Sequence, residues 1–190
     1  MLILASASPR RKELLTLMGL NFVVRVSEAD ETIYSENAPY DEVARLSRAK
    51  AEAISSAPED IVIAADTIVV CDNQALGKPI DEHDAMRMLT LLSGRKHQVM
   101  TGLSVLHAGK CISCTEVTDV FFRTLTAEEI CAYIRTKEPM DKAGAYGIQG
   151  GAAQFVEKIS GDFYNVVGLP VCRLSRILRQ IAPQLTEETK

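Results

Sequence analysis

Two rhythms of apolar residues take turns along the chain. Continuous aliphatic and β-branched runs, such as "LILAS" (2–6) and "DIVIAADTIVVC" (60–71), have the pattern of strands buried on both faces. Between them, "YDEVARLSRAKAEAISSA" (40–57) sets Val43, Leu46, Ala49, Ala53 and Ile54 at helical spacing. A first helix is expected over 9–18, with Ser8 able to cap it, Pro9 at its first position and Gly19 at its C-terminal end. "NFVVRVS" (21–27) reads as a strand, followed by the acidic loop "EADETIYSENAP" (28–39). "DNQ" is a turn, and "DEHDAMRMLTLLSG" (81–94) is a helix with acids in its first turn and Gly94 at its end. "HQVMTGLSVLH" and "KCISCTEVTDVFFRTL" are long strands around "AGK", a predicted hairpin. Thr126 and Glu129 form a capping box opening "TAEEICAYIRT". "DKAGAYGIQGG" (141–151) is too rich in glycine for a regular element. A last helix is expected over 170–181. The alternation predicts an α/β fold, a mixed sheet flanked by helices.

Bulk composition narrows this picture. With 190 residues, 47% of them hydrophobic, the chain can bury a core as one domain over 1–182, with a polar tail over 183–190 expected to fray. Aromatics make up only 5% and there is no Trp, so the core must be mainly aliphatic. A net charge of -4 argues against a general nucleic-acid or membrane-surface binder. No apolar run approaches the length of a membrane span, and "MLILA" is too short for a signal sequence. The five cysteines lack framework spacing, which fits a reducing cytoplasm.

Some residues sit badly with a purely structural role. Arg10 and Arg11 fill the first turn of the first helix, where the macrodipole favours acids. Either they are solvated arginines, or unpaired N–H groups and two guanidiniums together make an anion site suited to a polyphosphate. Asp66 interrupts an apolar run. It is either bonded to local backbone at a strand break, or it is a carboxylate at a strand end facing a cleft, holding a divalent cation or accepting a proton. Lys50 lies on the second helix, where a solvated face is the default. Lys78, in "GKP", is aimed by its neighbours or sits in an ordinary turn. Glu28, Asp30 and Glu31 make an acidic cluster of the kind more often solvated than metal-binding. In "CISC", Cys111 and Cys114 would point to opposite faces of a strand, so they cannot share a zinc ion. His97, beside Arg95 and Lys96, reads as a surface residue. Phosphate-binding glycine loops and a nucleophile elbow are absent.

Six blocks, "LASASPRRKELL", "AADTIVV", "GKP", "SGRKHQVMTG", "DKAGAYGIQG" and "VVGLP", occur in the order and approximate spacing of the Maf proteins. The resemblance runs from the first residues to about Leu174. It implies a fold similar to inosine triphosphate pyrophosphatases, a bent mixed sheet with two lobes around a cleft. The implied activity is hydrolysis of nucleoside triphosphates between the α- and β-phosphates, giving a monophosphate and pyrophosphate with Mg²⁺ or Mn²⁺. Residue by residue, Asp66 matches the proton acceptor; Ser6, Arg11, Lys50 and Lys78 match phosphate-handling positions; Glu31 matches an acidic position near the metal. Arg10 and Arg11 would then hold a triphosphate. Members of the family are often dimers, so a homodimer is within the expectation.

Family members divide into those acting on dTTP and UTP and those acting on 7-methyl-GTP. Three positions track the division, and here they read Arg10, Thr67 and Gln149, as in the pyrimidine class. The neutral amide of Gln149 offers a donor and an acceptor to the O4 and N3–H edge of uracil or thymine. The alternatives are a 7-methyl-GTP pyrophosphatase, for which position 149 would be acidic, and a nucleotide-binding regulator of septum formation, which would not need Asp66.

Overall fold

A computed structural model describes residues 1–34 and 36–187. The strands are β1 (Leu2–Leu4), β2 (Val23–Val24), β3 (Ile61–Cys71), β4 (Gln74–Leu76), β5 (Lys96–His107), β6 (Lys110–Phe122) and β7 (Val156–Ser160). The helices are α1 (Pro9–Leu17), α2 (Pro39–Glu52), α3 (Glu82–Leu92), α4 (Ala127–Arg135), α5 (Phe163–Val167), α6 (Val171–Ile181) and α7 (Gln184–Glu187). The strands make one sheet in the order β2-β1-β3-β5-β6-β7, with β4 also paired to β3. β1 runs parallel to β2 and β3, while the β3–β4 and β6–β7 pairs are antiparallel, so the sheet is mixed, as the sequence implied.

Both hairpins turn on two residues with positive φ, Asp72–Asn73 and Ala108–Gly109, the geometry that matches the twist of the flanking strands. The capping box of α4 is present, with Thr126 and Glu129 each satisfying the other's backbone N–H. At α1 the outcome differs. Ser8 occupies the N-cap position, but its side chain caps nothing; its own N–H is taken by the Ser6 hydroxyl instead. "NFVVRVS" contributes only the two exposed residues of β2. Glycine keeps residues 138–155 out of regular elements, and the segment is three short 3₁₀ turns. β4, β7 and α5 are too short to show a period in the sequence. Within the tail, residues 184–187 add a helical turn, and 188–190 lie outside the described residues.

The chain divides into two compact units, residues 1–66 with 101–116 and 168–190, and residues 67–100 with 117–167. The division falls inside β3, β5 and β6. In the first unit, Ile3, Ala5, Ala51, Ile54, Val62 and Ala64 form a dry cluster between α2 and the strands. Gly102 lets β5 approach α2 closely, because a Cβ there would lie 2.1 Å from the Val43 carbonyl oxygen. The buried residues of α2 are Glu42, Val43, Leu46, Ser47, Lys50 and Ala51, a face rotated from the purely apolar stripe so that Ala53 is exposed. In the second unit, α3 and α4 pack together. An aromatic group built from His97, Phe122, Tyr133, Tyr146 and Phe155 lies in that unit, with successive rings edge-to-face.

That group corrects the reading of His97. It is 2% exposed, hydrogen-bonded through Nε2 to the Tyr146 hydroxyl at 2.9 Å. Burial is the main cause that pushes its pKa down to about 4, against the Arg95 backbone and the charge of Asp119. Adjacent residues of a strand face opposite sides, so His97 points away from the solvent face that carries Lys96. Among the described residues, no helix is long and apolar enough to cross a membrane.

Candidate active site

The site in the first unit begins on β3, whose residues 61–63 pair with β1. Asp66 and Thr67 are the two half-buried residues of an otherwise buried strand. The carboxylate expected at a strand end is thus in mid-strand.

Lys50 reaches Asp66 from the buried face of α2. Its Nζ lies 2.5 Å from Asp66 Oδ1 and 3.0 Å from Glu31 Oε1. The side chain is 9% exposed, so the solvated lysine expected on this helix is instead an ammonium held between two carboxylates. Burial of such a charge is tolerable only because it is paired on both sides.

The loop after β1 supplies the second cationic group. Ser6 is buried, and its Oγ accepts both the Ser8 N–H and Arg11 Nη1, each at 3.2 Å. Arg11 Nε donates to the Gly168 carbonyl at 2.8 Å. Burial holds the pKa of Arg11 below its ordinary value; Asp66 opposes this, Arg10 adds to it and Glu31 opposes it. The two arginines are therefore unlike. Both are half-buried in the first turn of α1, but Arg11 is fixed by the Gly168 carbonyl and lies within the field of Asp66.

Glu31 is exposed on the acidic loop, and Glu42, a residue the sequence reading missed, organises that loop. The Glu42 side chain is 1% exposed and accepts the Tyr34 N–H at 3.0 Å and Asn37 Nδ2 at 2.6 Å. Arg45 forks onto the same carboxylate and donates to the Thr32 carbonyl at 2.8 Å. The Arg45 hydrogen bonds are the largest cause pulling Glu42 down to about 2, against the cost of burial. A signal was present in the sequence: Glu42, Leu46 and Lys50 are spaced by four, so both charges share the phase of the buried stripe.

The second unit holds the other candidates. Thr67 follows Asp66 on β3, Lys78 is exposed beyond β4, and Gln149 is exposed on a tight turn, residues 147–150. Contacts within the first unit bring Ser6 to Arg11, and Lys50 to Asp66 and Glu31.

Among the described residues, no three His, Cys, Asp or Glu side chains are grouped to hold a metal ion. Asp66 and Glu31 supply two carboxylates that converge on one cation. That donor set fits Mg²⁺, which is commonly held by one or two carboxylates plus substrate phosphates rather than by a complete protein cage.

The family model described as "Maf-like protein" matches residues 1–181. The chain belongs to the Maf family. A relative named "dTTP/UTP pyrophosphatase" from Bacillus cytotoxicus is 53% identical over 179 residues, covering 94% of each chain. Another of the same name, from Bacillus cereus, is 50% identical over 186 residues and 97% of each chain. Among solved structures, a HAM1 protein from Coxiella burnetii is 12% identical with a TM-score of 0.48, covering 94% of this chain and 98% of that one, a likeness too loose to carry weight. Membership of the Maf family is as the six sequence blocks implied, and those blocks include Ser6, Arg10, Arg11, Asp66, Thr67, Lys78 and Gln149.

Proposed function

We propose that this chain is a nucleoside triphosphate pyrophosphatase that hydrolyses dTTP and UTP to the monophosphate and pyrophosphate. The observation that carries the reading is Lys50 held between Glu31 and Asp66, the latter in the middle of β3. A paired carboxylate with adjacent cations is what phosphoryl transfer needs, since that chemistry rests on positioning and charge neutralisation. The identity of about half the residues with relatives named for this activity supports it.

In this reading Asp66 accepts the proton of the attacking water. The water oxygen bonds to the α-phosphorus, and the bond from that phosphorus to the α–β bridging oxygen breaks. Pyrophosphate then leaves with the electron pair. Ser6, Arg10, Arg11, Lys50 and Lys78 handle the phosphates, and Lys50 also keeps Asp66 and Glu31 in place. Asp66 and Glu31 would hold a divalent cation, Mg²⁺ or Mn²⁺, which when bound neutralises charge on the phosphates. Thr67 and Gln149 select the pyrimidine, with the Gln149 amide pairing to the O4 and N3–H edge. The site of action is the cytoplasm.

The test is a panel of nucleoside triphosphates assayed with Mg²⁺ for each product. UTP and dTTP should be the best substrates, yielding pyrophosphate and monophosphate. Release of orthophosphate and a diphosphate would overturn the bond assignment. A preference for 7-methyl-GTP would overturn the subclass, and nucleotide binding without hydrolysis would favour a regulator.

A further inference from the structure

The turn that carries Gln149 is fastened at both ends to one pair of side chains. It is closed by the Gly150 N–H on the Gly147 carbonyl at 3.1 Å, with Gln149 exposed at its apex. Tyr133, buried on α4, accepts the Gly147 N–H at 3.1 Å and donates to Glu138 Oε1 at 2.9 Å. The second carboxylate oxygen, Oε2, accepts the Gly151 N–H at 2.9 Å. One carboxylate and one phenol therefore hold the residues on either side of the turn.

The glycines are there for close approach. A Cβ on Gly150 would lie 2.0 Å from Glu138 Oε1, and one on Gly147 would lie 2.7 Å from Lys142 Cε. On Gly151 it would meet the Tyr133 ring at 3.2 Å. Lys142 also donates to the Glu138 carbonyl at 2.6 Å, so the acid is held from its own backbone. Burial, the largest cause, raises the pKa of Tyr133 above a value at which the hydroxyl is already a donor at neutral pH. None of these groups is among those assigned above to the hydrolytic step. Their common effect is to fix the backbone on which the Gln149 amide stands.

Building on the proposed role of Gln149, we infer that Glu138 and Tyr133 are positioning residues for base selection: they set the Gln149 amide in register with the pyrimidine edge. Discrimination by hydrogen bonding depends on placing donor and acceptor within tenths of an ångström, which a loosely held turn cannot do. Removing either member should blunt the choice of base while leaving phosphate chemistry in place.

The experiment measures kcat/KM for UTP and CTP in wild type, Tyr133→Phe, Glu138→Gln, Gln149→Ala and the Tyr133→Phe/Gln149→Ala double variant. Tyr133→Phe should lower the UTP-to-CTP ratio about tenfold, with CTP itself nearly unchanged, and Glu138→Gln should do the same. In the Gln149→Ala background the Tyr133 change should not move the ratio further, which a merely structural role would not produce. Equal losses on both nucleotides, or the same fall in ratio without Gln149, would overturn the inference. If Glu138→Gln fails to fold, Tyr133→Phe decides by the same criteria, since it removes one hydroxyl and no volume. A ratio that Gln149→Ala abolishes and Tyr133→Phe leaves intact overturns the positioning role alone. A ratio that Gln149→Ala does not move overturns the base-reading role, and this inference with it.

Discussion

Around Asp66, position is set by charge: an ammonium lies between two carboxylates, and a guanidinium is tied to a serine and a backbone carbonyl. Around Gln149, position is set by backbone: glycines bring N–H groups onto Tyr133 and Glu138, and the scaffold is made by the neighbours of the exposed Gln149 side chain. The contrast has a physical basis. Charged groups suit phosphates, and a half-buried charge is stable only when its neighbours neutralise it, so in the proposed reading scaffold and function share the same residues. A neutral amide that reads a base needs no counter-charge. It can stand on a turn that other residues hold, which leaves its identity open to change without loss of the fold.

If the contrast is sound, the largest effect belongs to Asp66. Asp66→Asn should lower the melting temperature, because Lys50 loses one of its two counter-charges, yet leave a folded chain able to bind nucleotide. Its kcat with UTP and Mg²⁺ should fall by about 10²–10⁴-fold or more. Near wild-type turnover would break the comparison at its charged end. Gln149→Glu should act differently, lowering kcat/KM for UTP and dTTP on the order of 10²-fold, with a smaller loss on CTP and little change in melting temperature. Equal losses on every nucleotide would mean that the turn too is scaffold.

A smaller and pH-dependent effect is expected at Glu42. Its carboxyl lies near pKa 2 in the fold against an ordinary 4.5. A depressed pKa means that the stabilisation is complete above about 4.5 and disappears as the pH falls toward 2. Glu42→Gln should therefore cost roughly 1–3 kcal/mol at pH 7, and the difference in melting temperature from wild type should close as the pH falls below 4.5. A gap constant down to pH 2.5 would sink the assignment. At pH 7 the same variant should raise the Mg²⁺ concentration needed for half-maximal activity, because the loop bearing Glu31 loses its anchor.

The smallest change in stability is expected at Arg10. Removing this cation from the N-terminal turn of α1 should raise stability by a few tenths of a kcal/mol, while weakening triphosphate binding. Arg11→Ala should instead lower the melting temperature, since it strips the Gly168 carbonyl and Ser6 of a donor. Identical behaviour of the two variants in calorimetry would show that the backbone anchoring of Arg11 counts for nothing.

Local patterning was enough to place β3, β5, β6 and the helices α1 to α4 and α6, because periods of two and 3.6 are properties of short windows. Asp66 stood out for the same reason, as one carboxylate in a β-branched run, and the six blocks in order carried the family. What the chain alone could not determine was which residues meet across distance. Lys50 finds Asp66 sixteen positions away because it lies on the buried face of α2, a helix that Gly102 allows close to β5. Glu42, His97 and the Tyr133–Glu138 pair are ordinary polar residues by composition. They meet their partners only where a loop, an aromatic group and a glycine turn fold onto them, since burial and hydrogen-bond pairing depend on the sum of non-local neighbours rather than on any run of sequence.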